Sequence, residues 1–165
     1  VRDEVDALVA SWARERPDLD LSAMQVLSRV SRLALHLDRA RKEAFSAHRV
    51  VAWEFDVLAA LRRAGAPYTL SPGALIRETM VTSGTMTNRV DRLVHRGLVT
   101  RSADPSDRRG VLVTLTPEGR DTVDGALGSL LDAERRLLSG LSEDEQTQLA
   151  GLLRSLGLSF TDLAA

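Results

Sequence analysis

Cysteine is absent from this 165-residue sequence, which excludes disulfides, a thiolate redox switch and any Cys-ligated metal site. Lysine is nearly absent too: Lys42 stands alone among 22 basic residues, so the cationic chemistry of the chain is that of arginine. Aromatic residues make up 4% of the sequence, and each of its two tryptophans, Trp12 and Trp53, needs a reason. No stretch approaches the roughly 18 consecutive apolar residues of a spanning helix, and the first residues are acidic and amphipathic rather than basic and then apolar. No membrane role is expected, and a cytoplasmic location is. The formal charge of −1 gives no global attraction to a polyanion, so any such surface must be local. With 44% hydrophobic and 27% charged residues, the composition is that of one globular domain.

Helical spacing of Val5, Leu8, Val9 and Trp12 defines an amphipathic first helix over 2–16, ended by Pro17. A second helix is expected from Ser22, read as an N-cap with Gln25 reaching back, to about Phe45, with Val26, Val30, Leu33, Leu37, Ala40 and Ala44 along one stripe. A third covers roughly 50–64 and is closed by Gly65 and Pro67, with Trp53 assigned to the core. Ser71-Pro72 reads as a cap followed by proline at the first helical position, opening a short helix to about Thr79. After Gly97 the period changes. Residues 98–100 and 111–115 are strand-like, and "ADPSDRRG" between them reads as a long hairpin tip. Thr116-Pro117 and Ser142 with Glu145 start two further leucine-rich helices. Met24, Met80 and Met86 read as core filler.

The segment "VTSGTMTNRVDRLVHRGLV" at 81–99 carries the sharpest signal. At about 100° per residue, Thr85, Arg89, Arg92 and Arg96 fall within a stripe about 60° wide, beside an apolar arc of Met86, Val90, Leu93 and Val94. Arginine can fork onto guanine or phosphate, Asn88 can pair with adenine, and the small groups of Ser83, Thr85 and Thr87 can approach base edges. Within 82–110 six arginines (89, 92, 96, 101, 108, 109) face three aspartates (91, 104, 107), a local excess in a neutral chain. A short helix, a tight turn, this helix and then a basic hairpin make a winged helix-turn-helix. Arg108 and Arg109 are the wing residues for a neighbouring minor groove, and Asp107 is placed to orient one of them.

"SGTMTNRVDRLVHRGLVTRSADPSDRRGVLVTLTPEGR" resembles the recognition-helix and wing segment of the MarR family of bacterial transcriptional regulators. The resemblance implies a mainly α fold with an extra N-terminal helix, and a single domain over 1–165. Residues 1–48 and 117–165 would be dimerisation helices and 50–116 the DNA-binding lobe. It also implies a homodimer on the double-stranded DNA of a pseudo-palindrome, and two leucine-rich faces fit that role independently. The extra helix, "WEFDVLAALRR" and "TNRV" are similar to the urate-responsive, PecS-like branch of the family. Its ligand residues would here be Trp12, Asp56, Arg63 and Arg89. Spacing alone puts Asp56 and Arg63 about 20° apart on one helix face. The small anionic ligand would be urate or a related purine, stacked on Trp12 and held by Arg63.

The function expected is therefore a ligand-responsive repressor. Alternatives are a phenolic or antibiotic-like effector, a DNA architectural protein, or a protein-interaction module. An enzyme has no support, because the sequence shows no nucleophile setting, phosphate-cradling glycine loop or carboxylate pair. No cofactor is implied, and His36, His48 and His95 lack metal-ligand spacing.

Overall fold

The computed structural model describes residues 2–161, with Arg108, Arg109 and Thr161 described for their backbone alone. The element order is α1 (Glu4–Glu15), α2 (Ser22–Ser46), α3 (Ala52–Arg63), β1 (Thr69–Leu70), α4 (Pro72–Thr79), α5 (Ser83–His95), β2 (Val99–Asp104), β3 (Asp107–Leu115), α6 (Pro117–Leu137) and α7 (Glu143–Thr161). The three strands form one antiparallel sheet in the order β1-β3-β2. Strand β1 has no counterpart in the sequence pattern. Two residues carry no periodicity, and what makes them a strand is their pairing with Val113 and Thr114 of β3.

Most helix starts follow the expected chemistry. The Ser71 hydroxyl accepts from the Ala74 amide and Thr116 from that of Gly119, each followed by proline at the first helical position. Ser142 and Glu145 form a reciprocal box, whose hydrogen bonds hold the Glu145 carboxyl below the usual range. The start of α2 is a correction. Ser22 is not a cap but the first helical residue, because the Asp20 carboxylate accepts both its amide (2.9 Å) and its hydroxyl (3.0 Å). A carboxylate is the stronger acceptor, and it draws the hydroxyl away from the helix end.

The core lies where α3, α4 and α5 meet the sheet and α6. Val57, Leu58, Leu61, Leu75, Met86, Val90, Leu93 and Val113 are fully buried there, each worth about 1.5–3 kcal/mol of transfer free energy. Phe45 stacks on Phe55, with centroids 4.4 Å apart, and joins the end of α2 to α3. Gly119 lets α6 pass against the hairpin: a Cβ there would stand 2.0 Å from the Leu98 carbonyl oxygen. Met86 is core as expected, but Met80 is 92% exposed in the turn between α4 and α5.

Helix α1 docks on α2 through Val5 and through charge. Arg29 pairs with Asp3 and Asp6 (both 2.8 Å), and Arg32 with Glu4 (2.6 Å). The remaining faces stay open. Val26, Val30, Leu33 and Leu37 of α2, Leu127 and Leu131 of α6, and Leu152, Leu153, Leu156 and Phe160 of α7 are all exposed. Among the described residues, no helix is long and apolar enough to cross a membrane.

Candidate nucleic-acid interface

Helix α4, the turn at 80–82 and helix α5 form a helix-turn-helix. Met80 enters the turn in the left-handed region (φ 51°), and Thr82 caps α5 by accepting from the Thr85 amide. The exit is a Schellman motif. Gly97 has φ 72°, its amide donates to Val94 and the Leu98 amide to Leu93, so the chain turns sharply into β2. Met86, Val90 and Leu93 anchor one face of α5 in the core. Ser83, Thr85, Thr87, Asn88 and Arg92 are exposed on the rest, while Arg89 is half-buried. Of the polar stripe read from the sequence, Thr85 and Arg92 face outward and Arg89 lies half-buried beside them.

Its arginines are held in two different ways. Arg89 and Arg92 both lie over the indole of Trp53, on α3, with Cζ 5.4 Å and 5.2 Å from the ring centroid. Among the described residues neither is paired with a carboxylate. Arg96 is spent inside the protein: Nη1 donates to Glu54 Oε2 at 2.6 Å and Nη2 to the Arg49 carbonyl at 2.7 Å. Glu54 is 5% exposed, and its carboxylate also accepts from the Val51 amide at the start of α3. Beyond the helix, Arg101 Nη1 donates to Asp91. An open groove lined by Glu54, Asn88, Asp91, Arg92, His95 and Arg96 runs along this edge.

Three of these placements differ from the sequence reading, the first being Arg96, which the sequence puts on the DNA-reading stripe and the structure sets against Glu54. Trp53 is not simply core but a half-buried platform at the root of the polar stripe. Glu54 was not singled out at all. Its position in the first turn of α3 signals a carboxylate near an amide, but its partner lies 42 residues away.

The wing is longer and its tip tighter than expected. Strands β2 and β3 pair as far as Asp104 and Asp107, leaving only Pro105 and Ser106 in the turn. Asp104 accepts from the Ser106 hydroxyl (2.6 Å) and amide (2.8 Å), which pulls its carboxyl below the usual range and lets both strands run to the tip. Asp107, Arg108 and Arg109 consequently sit on β3 rather than in a loop, and the side chains of Arg108 and Arg109 lie outside the described residues.

Two of the residues proposed for a ligand already have ion partners within the chain. Asp56 faces Arg41 of α2 at 3.6 Å, and Arg63 pairs with Glu78 of α4 at 3.2 Å. Trp12 is 45% exposed on α1. That helix docks on the first half of α2, where Asp3 and Asp6 meet Arg29 and Glu4 meets Arg32.

The MarR family model matches residues 51–110, from the residue before α3 into β3. Over 150 residues the chain is 42% identical to the HTH-type transcriptional regulator PecS of Dickeya dadantii, covering 91% of this chain and 90% of that one. Among solved structures it is similar to a mutant MarR from E. coli complexed with operator DNA, with TM-score 0.68 and 31% identity over 84% of this chain and 99% of that one. It is also similar to BpsR of Bordetella bronchiseptica, with TM-score 0.68 and 29% identity over 82% and 95% of the two chains. BpsR is a protein whose DNA binding is regulated by 6-hydroxynicotinic acid.

Proposed function

The chain belongs to the MarR family, as a DNA-binding transcriptional regulator and not an enzyme, and on that premise we propose that it is a homodimeric repressor whose operator affinity falls when a small anionic ligand binds. One observation carries the DNA-reading part: α5 presents Thr85, Asn88, Arg89 and Arg92 outward beside a two-stranded wing, with Arg89 and Arg92 outside any carboxylate pair among the described residues. In this reading α5 enters the major groove, and Arg108 and Arg109 approach the flanking minor groove. The open apolar faces of α2, α6 and α7 support a second copy as the partner, and two recognition helices would address half-sites roughly 34–36 Å apart.

Urate or a related purine is the proposed ligand. It rests on the pattern Trp12, Asp56, Arg63 and Arg89, and on control of BpsR by another small heterocyclic acid. An anion arriving beside Asp56 repels that carboxylate and competes with Glu78 for Arg63, and the disturbance reaches Arg89. In this reading Trp12 supplies the aromatic face on which the purine stacks. The ligand acts by favouring a spacing of recognition helices that no longer fits both half-sites.

A mobility-shift titration on the chain's own upstream intergenic DNA, repeated with purines, organic acids and phenolics, tests both parts. Preferential binding that urate weakens supports the reading. Urate that changes neither operator affinity nor melting temperature removes the ligand, and equal affinity for random DNA removes the operator.

A further inference from the structure

We propose that Trp53 is the positioning residue for DNA reading: its indole holds both the Arg89 and the Arg92 guanidinium on the DNA-facing helix, outside any carboxylate pair among the described residues. The proposal rests on the DNA-reading function proposed above and adds a residue of α3 to it. Trp53 is anchored against the hydrophobic core, so the platform is fixed while the two side chains above it are long and rotatable. Arg89 and Arg92 stand at i and i+3 on α5 and converge on the one ring, at 5.4 Å and 5.2 Å.

The contrast with the neighbouring arginines gives this arrangement its meaning. Arg96 and Arg101 hand their N–H groups to Glu54 and Asp91. A guanidinium held that way must break a charge-assisted hydrogen bond before it can bind phosphate or guanine. Indole attracts a cation through its π face, whereas guanidinium N–H donors lie in the plane of the group. The ring therefore fixes position without consuming donors. It also brings two positive charges to one ring, where an acceptor edge or phosphate can meet both. Ordering these two side chains before DNA arrives moves an entropic cost of binding into folding.

Trp53→Ala, Trp53→Leu and Trp53→Phe in the full chain test the role. The probes are a duplex selected by the wild-type protein from a random-sequence library and an unselected duplex of equal length. Alanine and leucine are expected to cut the ratio of the two affinities by about 5- to 30-fold, the span set by two exposed cation–π contacts, while phenylalanine recovers most of it. Leucine keeps apolar bulk against the core and separates lost packing from a lost π face.

A second readout needs no variant: in the wild-type NMR spectrum the Arg89 and Arg92 side-chain resonances should be displaced by the indole ring current. A Trp53→Leu protein with the wild-type affinity ratio, or Arg89 and Arg92 resonances at unperturbed positions, overturns the role of Trp53 alone. A wild-type chain that prefers no duplex over any other overturns the DNA-reading function, and this role with it.

Discussion

Arg96 Nη1 stands 2.6 Å from the Oε2 of Glu54, and that carboxylate also receives the Val51 amide. The C-terminal end of the recognition helix is thereby fastened to the N-terminal end of α3. Arg96→Ala leaves Glu54 buried with its charge uncompensated, so its main effect is expected on stability. Because Arg96 is one-third exposed, the loss should fall below the 3–5 kcal/mol of a fully buried pair, at roughly 2–3 kcal/mol by urea denaturation. A variant of unchanged stability that fails only in base discrimination would return Arg96 to the reading stripe.

Gly119→Ala tests the close approach of α6 to the hairpin. The new methyl would meet the Leu98 carbonyl oxygen at 2.0 Å, and backbone cannot yield as a side-chain tip can. A loss of roughly 3 kcal/mol or more is expected from urea denaturation. A melting curve matching the wild type would mean that the helix and hairpin are not in this contact.

The docking of α1 should depend on pH. The Arg29 guanidinium, followed by the Asp6 amide, holds the Asp3 carboxyl below the usual carboxylate range. A depressed folded value means that the contribution is complete above the ordinary unfolded value and is lost as pH falls through the folded one. The hydrogen-exchange protection of α1, taken relative to the intrinsic rate at each pH, should therefore fall in acid, below the ordinary carboxylate range rather than at neutrality. In Asp3→Asn, which keeps a capping oxygen but loses the ion pair, that acid step should flatten. An NMR titration placing the Asp3 carboxyl at or above its ordinary value would sink this.

Arg108→Ala and Arg109→Ala test the wing. If each guanidinium meets a phosphate, each variant lowers the slope of log affinity against log salt by about 0.9, with similar losses on selected and random DNA. An unchanged slope would take the wing off the DNA.

Leu153→Glu places a charge on the open apolar face of α7, where Leu153 is 48% exposed. In the dimer reading it should shift sedimentation to the monomer and abolish tight binding to a two-half-site duplex, with helix content retained. A dimer that persists would locate the interface elsewhere.

Much of the fold was legible because its signals are local. Ser71-Pro72, Thr116-Pro117 and Ser142 with Glu145 cap helices where their spacing says they should, and Gly97 ends α5 with a positive φ. Ser22 misled because a second acceptor, Asp20, stands two residues before it. The wing tip misled because charged, turn-prone residues such as Asp107 through Gly110 are carried into β3 by cross-strand pairing. Among the site residues, periodicity identified the outward face of α5. It could not tell Arg96 from Arg89, since both lie on one stripe and differ only in what α3 sets against them.

From the sequence alone came the helix order, the winged helix-turn-helix, the basic recognition segment and the apolar faces that need covering. All of these follow from spacings within one or two turns, which a chain encodes locally. Only the tertiary structure decided which arginines are held by carboxylates and which by an indole, that β1 exists, and that Asp56 is set against Arg41 and Arg63 against Glu78. Those depend on pairs of residues far apart in the chain, whose meeting is set by how the helices pack and not by any pattern that a single helix carries.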